Sequence, residues 1–327
     1  MSRLILAGDV GGTKTWLGLF TLDGPRPSLL ETRHYPTLEF DALTPMVARF
    51  LDRTGATGQI AAACFGVAGP VRANVSTLTN VPWEVDGAEI GSRLGIATVR
   101  LLNDLEAMAC AVPLLAAQEL AVIQPGAPVA GGNAALIAPG TGLGEAGLHA
   151  VGDRLIPVPS EGGHTDFAAR TPRELELVAV LSARRERVAL EDVVSGPGLV
   201  NLHTFTHRST RCVSCSLPDE PDRQPAAITA AALDGGCGAC VEALDLFVSA
   251  LGAAAGNLAL RTLATAGLYL GGGIAPQILP ALRTGRFLEA LVDKGPMRPL
   301  LEQVPVSVIL EQRAALVGAA VAARDLT

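Results

Sequence analysis

Aromatic side chains are scarce in this chain of 327 residues, where Phe, Trp and Tyr together make up only 4%. Charged residues are also few, at 17%, and 32 acidic residues against 25 basic ones give a formal net charge of −7. This balance argues against a general nucleic-acid-binding or anionic-membrane-binding protein, because both classes use Lys and Arg to neutralise phosphate. The hydrophobic fraction of 49% predicts a folded chain with cores of Ala, Val, Leu and Ile.

Long uninterrupted apolar runs are lacking as well. The longest, over 246–260, contains Ser249 and Asn257, and it is shorter than the ~20 residues that a membrane-spanning helix needs. The apolar run near the N-terminus is interrupted at Asp9, which is too early for a signal peptide. We therefore predict a cytoplasmic protein with no membrane partner and no nucleic-acid partner.

Apolar strands alternate with segments of helical spacing, which indicates an α/β fold. The helical segments cover 44–53, 172–187, 226–263 and 311–325. A stretch rich in Gly and Pro separates two segments, 4–20 and 135–150, that share the order strand, glycine-rich turn, strand. This internal repeat predicts two similar α/β halves. We expect a small domain of residues 1–112 plus 311–327 and a large domain of residues 113–310.

Three glycine-rich turns, at 8–13, 140–144 and 271–273, each follow an apolar strand. Glycine allows positive φ and close approach of the backbone to a ligand, and successive N–H groups in such turns bind anions. Three such turns favour a nucleotide site over ordinary turns. A P-loop does not fit, because Thr13 stands where the motif requires Gly. The G-x-G-x-x-G match that begins at Gly142 lacks the helix that should follow it.

Polar residues follow several of the predicted strands. Asp9 precedes the first glycine turn, where a carboxylate beside phosphate needs a cation such as Mg²⁺; alternatively, Asp9 accepts hydrogen bonds from the turn itself. Asn103 and Asp104 stand between a strand and a helix, where α/β sheets bind ligands, although helix capping alone would also explain them. With Glu161, His164 and Glu191, they supply the carboxylates, amide and imidazole that sugar hydroxyls require.

These motifs together resemble the bacterial ATP-dependent glucokinases of the hexokinase type. That family has the two-lobed, actin-like ATPase (ribonuclease-H-like) α/β fold, with the active cleft between the lobes. The matching stretches are GDVGGTKT, GVAGPV, LLNDLEAMACAVP, APGTGLG, EGGHTDF, SGPGLVNL, GNLAL and LGGGIAP.

The resemblance implies a reaction, transfer of the γ-phosphoryl group of ATP to the 6-hydroxyl of glucose in the first step of glycolysis. It implies ATP, Mg²⁺ and glucose as ligands and a homodimer as the assembly. It implies that Asp104 is the catalytic base and that glucose is contacted by Asn103, Asp104, Glu161, His164 and Glu191. The phosphate turns would be Gly8, Asp9, Val10, Gly11, Gly12 and Thr13, then Gly140, Thr141 and Gly142, with Gly272 on the nucleoside side. A kinase for another hexose and a non-catalytic sugar-binding protein are the alternatives.

Four of the six cysteines form two C-x-x-C pairs, Cys212/Cys215 and Cys237/Cys240. This spacing fits a four-cysteine zinc site, and His203 and His207 lie nearby. Structural Zn²⁺, reduced thiols without metal, and a disulfide or redox pair all stay open. The zinc motif that related sugar-sensing repressors and kinases carry shortly after E-x-G-H is absent after His164.

Overall fold

The computed structural model describes residues 4–78, 81–209, 212 and 217–327. The chain divides into two compact units, one of Met1–Ala116 with Glu311–Thr327 and one of Ala117–Leu310. The expected domain boundary after residue 112 stays a prediction, because compactness does not show that either unit folds alone.

Strands of the first unit form two sheets. The strands are β1 (Leu4–Val10), β2 (Lys14–Thr21), β3 (Ser28–Pro36), β4 (Ile60–Val67), β5 (Val71–Arg72), β6 (Val75–Thr77), β7 (Glu84–Asp86) and β8 (Val99–Asn103). The main sheet has the order β3-β2-β1-β4-β8, and β5, β6 and β7 form a small separate sheet. In the main sheet β1 pairs antiparallel with β2 and parallel with β4, and β4 pairs parallel with β8.

The second unit repeats this pattern. Its strands are β9 (Leu120–Gln124), β10 (Ala134–Pro139), β11 (Leu143–Val151), β12 (Arg154–Ser160), β13 (Gly267–Leu270) and β14 (Val306–Ile309). They form one sheet in the order β12-β11-β10-β13-β14-β9. Here β10 pairs antiparallel with β11 and parallel with β13, and β13 pairs parallel with β14. The predicted repeat of two similar α/β halves is therefore confirmed.

Helices cover the sheets of both units. In chain order they are α1 (Leu43–Thr54), α2 (Gly87–Leu94), α3 (Asp104–Ala111), α4 (Pro172–Ser182), α5 (Gly196–Thr206), α6 (Gln224–Asp234), α7 (Gly238–Thr262), α8 (Ile274–Gln277), α9 (Leu279–Leu282), α10 (Arg286–Val292), α11 (Arg298–Leu301) and α12 (Ala314–Arg324). The single helical segment predicted over 226–263 is wrong in one respect. It is broken into α6 and α7, because Gly235 takes a left-handed conformation (φ 73°) and ends α6.

Helix α7 forms the centre of the second unit's core. It has 25 residues, and its most apolar 18-residue window has a mean hydropathy of 1.6. By length and composition it could cross a membrane, so the length argument drawn from 246–260 does not hold. The same window is 72% buried inside the protein, as expected for a core helix that packs against α5, α6 and α10.

The C-terminal helix α12 packs on α3 and β1 of the first unit. Its fully buried residues Leu316, Ala319 and Ala320 share a core with Ile5 and Ala7 of β1. Close approach depends on Gly318, because a methyl group there would lie 1.7 Å from the carbonyl oxygen of Ala107 in α3. Helix α3, which begins at Asp104, is thus held in place by the C-terminal helix α12.

Replacing Gly318 with Ala should therefore destabilise the first unit. The new methyl group meets backbone that cannot rotate away, so we expect a loss of about 3 kcal/mol in the free energy of unfolding. Gly24→Ala is the control, because the nearest atom to a methyl group there is 3.9 Å away. Thermal melts of the two variants would test this, and an unchanged melting temperature for Gly318→Ala would contradict the close packing of α12 on α3.

Candidate active site

Two acidic residues meet at the carboxyl ends of the parallel strands in the first unit. Asp9 is near the end of β1 and lies opposite Gly66 of β4. Gly66 in turn lies opposite Leu102 of β8, shortly before Asp104. A methyl group at Gly66 would be 2.7 Å from Ala107 Cβ and 3.6 Å from Asp104 Cα. The absence of a side chain at Gly66 therefore allows the start of α3, with Asp104, to lie against β4.

The pKa of Asp9 is raised to about 7 from its ordinary value of 3.8. Burial is the larger cause, and the charge of Asp104 is the second. The alternative in which Asp9 serves its own turn is not found, because in the described part of the chain no N–H of that turn donates to its carboxylate. Two neighbouring carboxylates, of which Asp9 has a raised pKa, are a donor set that suits a hard divalent cation.

Asn103 caps helix α3, and Asp104 is the first residue of that helix. Asn103 Oδ1 accepts a hydrogen bond from the Leu105 N–H at 3.0 Å, and its Nδ2 donates to the carbonyl of Gly69 at 3.3 Å. Asp104 Oδ1 accepts from the same N–H of Leu105 at 2.8 Å. The capping role considered from sequence is thus found at Asn103, whereas Asp104 adds a second acceptor for the same N–H. Capping leaves Asn103 with further hydrogen-bonding capacity, because an amide group has more lone pairs and N–H bonds than these contacts use.

Thr37 holds the first glycine turn through two hydrogen bonds to backbone carbonyls. Its Oγ1 donates to the carbonyl of Gly11 at 2.8 Å, and its N–H donates to the carbonyl of Thr13 at 3.0 Å. The Lys14 ammonium lies 4.5 Å from the centre of the Trp16 ring. The turn is therefore shaped by carbonyl contacts on one side, and Lys14 is paired with an aromatic ring.

In the second unit, His164 and Glu191 form an ion pair or hydrogen bond, with Nδ1 and Oε1 3.0 Å apart. His164 belongs to the 3₁₀ turn Gly162–His164, and Glu191 belongs to the 3₁₀ turn Leu190–Asp192. Glu191 is an acceptor, so Nδ1 of a neutral His164 carries the hydrogen and Nε2 offers a lone pair. His164 is 61% exposed, which leaves that nitrogen accessible to a ligand.

The second glycine turn lies beside Glu191, and the third turn lies against Pro139, which directly precedes the second. A methyl group at Gly142 would be 3.0 Å from Glu191 Oε2, and one at Gly272 would be 2.5 Å from the carbonyl oxygen of Pro139. The carbonyl of Gly140 accepts from the N–H of Gly196 at the start of α5, at 2.8 Å. Positive φ, expected at these turns, occurs among the predicted turn glycines only at Gly272 (φ 76°). At Gly142 the requirement is space for Glu191.

Sequence reasoning missed Glu145, which is 1% exposed on β11 and pairs with Arg261 at 2.9 Å. Its carboxylate has one buried oxygen with no hydrogen-bond partner in the described structure, and burial raises its pKa despite Arg261. A methyl group at Gly162 would be 2.0 Å from Glu145 Oε2. Glu145 therefore supports the turn that carries His164. A lone acidic residue within an apolar strand was the signal in the sequence.

Glu161 precedes the same turn and is exposed. Among the described residues no hydrogen bond or ion pair engages its carboxylate, although its carbonyl accepts from the His164 N–H at 3.1 Å. The predicted residues are thus brought together in two groups. The first unit contains Asp9, Asn103, Asp104 and the first turn; the second contains Glu161, His164, Glu191 and the other two turns.

A family model for glucokinases matches residues 6–326. The chain belongs to the glucokinase family. It is 38% identical over 342 aligned positions to a glucokinase of Nostoc sp. strain PCC 7120, with 99% of each chain covered. The crystal structure of a glucokinase from an Antarctic psychrotroph is similar at 30% identity, with a TM-score of 0.86 over 99% of this chain and 100% of that one.

The fold is shared more widely than the sequence. A glucokinase from Streptomyces griseus, solved in complex with glucose and AMPPNP, has a TM-score of 0.68 at 22% identity and covers 98% of this chain and 99% of that one. The family's actin-like ATPase fold, expected from the motifs, is confirmed. This glucokinase-family chain is an ATP-dependent hexose kinase.

The raised pKa of Asp9 predicts a pH-dependent stability in the absence of nucleotide and Mg²⁺. Folded Asp9 holds its proton up to about pH 7, whereas the unfolded carboxyl loses it near 3.8. Between these values the native state binds more protons, so the Asp9 contribution to stability falls as pH rises. Keeping Asp9 charged at high pH costs about 4 kcal/mol.

Asp9→Asn should therefore melt at a higher temperature than the wild type at about pH 8, and the difference should shrink towards about pH 5, where both side chains are neutral. Asp86→Asn, at the cap of α2, is the control and should change the melting temperature little at both pH values, because Asn caps a helix about as well as Asp. A difference between wild type and Asp9→Asn that does not change with pH would contradict the raised pKa.

Proposed function

We propose that this chain transfers the γ-phosphoryl group of ATP to the 6-hydroxyl of glucose, which gives glucose 6-phosphate and ADP, and that Asp104 is its catalytic base. The observation that carries the assignment of residues is the meeting of Asp9 and Asp104 at the strand ends of the first unit, where burial and, second to it, the charge of Asp104 raise the pKa of Asp9. In this proposal Asp104 contacts the sugar hydroxyl, and Asp9 binds the cation that accompanies the nucleotide.

The proposed sugar contacts are Asn103, Asp104, Glu161, His164 and Glu191. Asn103 retains one N–H and one lone pair after capping α3. His164 offers Nε2 as an acceptor because Glu191 engages Nδ1. The exposed carboxylate of Glu161 adds two acceptor oxygens. Donors and acceptors are both present, as hydroxyl groups that donate and accept require.

The proposed nucleotide contacts are the turns of Gly8–Thr13, Gly140–Gly142 and Gly272. Backbone N–H groups in glycine turns bind phosphate without a basic side chain, which suits an acidic protein with a net charge of −7. Asp9, with Asp104 beside it, would hold Mg²⁺ through its carboxylate or through water. When bound, Mg²⁺ supplies positive charge that offsets the charge of the phosphates.

Asp104 acts mainly by position. Phosphoryl transfer passes through a loose transition state, so little covalent work falls to the protein. A carboxylate is too weak a base to remove an alcohol proton in advance. Asp104 therefore orients the hydroxyl and accepts its proton late, as the new O–P bond forms. The capping hydrogen bond from Leu105 holds the carboxylate in the orientation that this requires.

A kinase for another hexose is the second candidate, because the proposed sugar contacts would bind hydroxyl groups that several hexoses share. A coupled assay with glucose, mannose, fructose and glucosamine separates the two. We also propose a homodimer in the cytoplasm, with the reaction as the first step of glycolysis; light scattering on the purified protein measures the assembly.

Asp104→Asn should lower kcat by at least about 100-fold while the dissociation constant for glucose changes little. The amide keeps the cap and the shape but cannot accept the proton. Glu106→Gln is the matched control on the same helix and should retain activity. Glucose binding by calorimetry and turnover by coupled assay are the measurements, and wild-type turnover in Asp104→Asn would remove Asp104 from the chemistry.

His164→Ala and Glu191→Gln should each raise KM for glucose by about 10- to 100-fold, the range for hydrogen bonds to charged groups. Because Glu191 orients His164, the double variant should cost less than the two single losses combined. Glu176→Gln, which breaks a surface pair with Arg173, is the control and should leave KM unchanged. Fully additive losses would show that the two residues act independently.

A further inference from the structure

A cluster of sulfur and imidazole ligands lies in the second unit, at residues with no part in the proposed reaction. His207 ends α5 and Cys212 follows it, whereas Cys237 caps the start of α7 and Cys240 lies in its first turn. Cys237 and Cys240 are buried. The cluster therefore joins the end of one helix to the start of another through side chains that are all metal ligands.

Four of the six distances within this cluster match the edges of a tetrahedron around zinc. With Zn–S bonds of about 2.3 Å and a Zn–N bond of about 2.0–2.1 Å, the sulfurs lie about 3.8 Å apart and the nitrogen about 3.6 Å from each sulfur. Cys212 Sγ is 3.5 Å from Cys240 Sγ and 3.9 Å from Cys237 Sγ. His207 Nε2 is 3.4 Å from Cys237 Sγ and 3.8 Å from Cys240 Sγ.

The orientation of His207 is that of a metal ligand. Its Nδ1 lies 2.8 Å from the carbonyl oxygen of His203. A carbonyl only accepts, so Nδ1 carries the hydrogen and Nε2 presents its lone pair to the sulfurs. A hydrogen bond of this kind from the second nitrogen to a backbone carbonyl is the usual support of a zinc-bound histidine.

We propose that His207 Nε2 and the sulfurs of Cys212, Cys237 and Cys240 bind one structural Zn²⁺ ion. Four protein ligands complete a tetrahedron and leave no open position for substrate. The three thiols lose their protons to solvent when the ion binds, and no oxidant or reductant is needed. The site differs from the four-cysteine set expected from spacing, because His207 replaces Cys215, which lies outside the described residues.

His203 is the main competitor for one of the four positions. Its ligand atom lies within 4.8 Å of those of His207, Cys212 and Cys240. Its ring stacks on that of His207 with centres 3.9 Å apart, and its carbonyl already supports His207. Cys237 Sγ lies 3.4 Å from His207 Nε2 and 3.9 Å from Cys212 Sγ, close to the separations that zinc ligands require, so we assign the fourth position to Cys237.

The ion would hold α5 from its C-terminal end. At the other end, Ser195 Oγ donates to the carbonyl of Glu191 at 2.6 Å, and the N–H of Gly196 donates to the carbonyl of Gly140. Zinc would thus anchor to α7 the helix whose start contacts a proposed sugar residue and a proposed phosphate turn. Its effect is on the stability of the second unit, apart from the chemistry.

The first test uses the full chain, purified without added metal. Elemental analysis should find about one zinc per chain, and X-ray absorption at the zinc edge should fit three sulfur ligands and one nitrogen. Removal of zinc with a chelator should lower the melting temperature by at least about 5 °C. Less than ~0.2 zinc per chain, or a shell of four sulfurs, would overturn the proposal.

Variants identify the ligands independently. His207→Gln, Cys237→Ser and Cys240→Ser should each lower the zinc content and the melting temperature, whereas Cys215→Ser and His203→Gln should retain zinc. Cys110→Ser is the control for a cysteine outside the cluster. If Cys215→Ser loses zinc while His207→Gln keeps it, the four-cysteine set is correct and the proposed set is wrong. The wild-type absorption spectrum still decides if a ligand variant does not fold.

Discussion

In the first unit the fold holds two carboxylates, those of Asp9 and Asp104, close enough to repel each other. Asp9 lies near the end of β1, and Asp104 begins α3 directly after β8. In the described structure neither a basic side chain nor an N–H group of the turn lowers the pKa of Asp9. Burial makes this repulsion stronger, because less water screens it. Only a bound proton or a bound cation offsets this repulsion, so the fold favours positive charge beside the two carboxylates. The surrounding contacts, Gly66 under α3 and Gly318 against Ala107, keep the two acids from moving apart.

In the second unit, glycine residues leave room for buried or partly buried carboxylates. Glu191 lies against Gly142 and Glu145 lies against Gly162, so a methyl group would be tight at Gly142 and would clash at Gly162. These glycines provide room for carboxylates rather than unusual backbone angles. The consequence is that acidic side chains stand directly beside turns proposed to hold phosphate or sugar. Two glycines stand in succession before His164 because Gly162 leaves room for Glu145 and Gly163 leaves room for the carbonyl of Leu143.

Support for these turns comes from the elements behind them. Thr37 holds the first turn by two carbonyls, Arg261 holds Glu145, and α5 begins with a hydrogen bond to Gly140. The cysteine and histidine cluster stands at the opposite end of α5. An ion there would stabilise a helix that positions the site without touching a substrate, which separates the stability of the unit from its reaction.

By itself the sequence determined the α/β class, the repeated halves, the family and the residue types of the site, because strand periodicity, glycine turns and helix caps are local signals. It also indicated that Asn103 caps α3. Only the tertiary structure decided which acids meet and which glycines serve as spacers. It revealed Glu145, and it showed that α7 is a core helix although its composition would suit a membrane. In the cysteine cluster it placed His207 with three sulfurs. These features depend on contacts between residues far apart in the chain, and no local pattern records such distances.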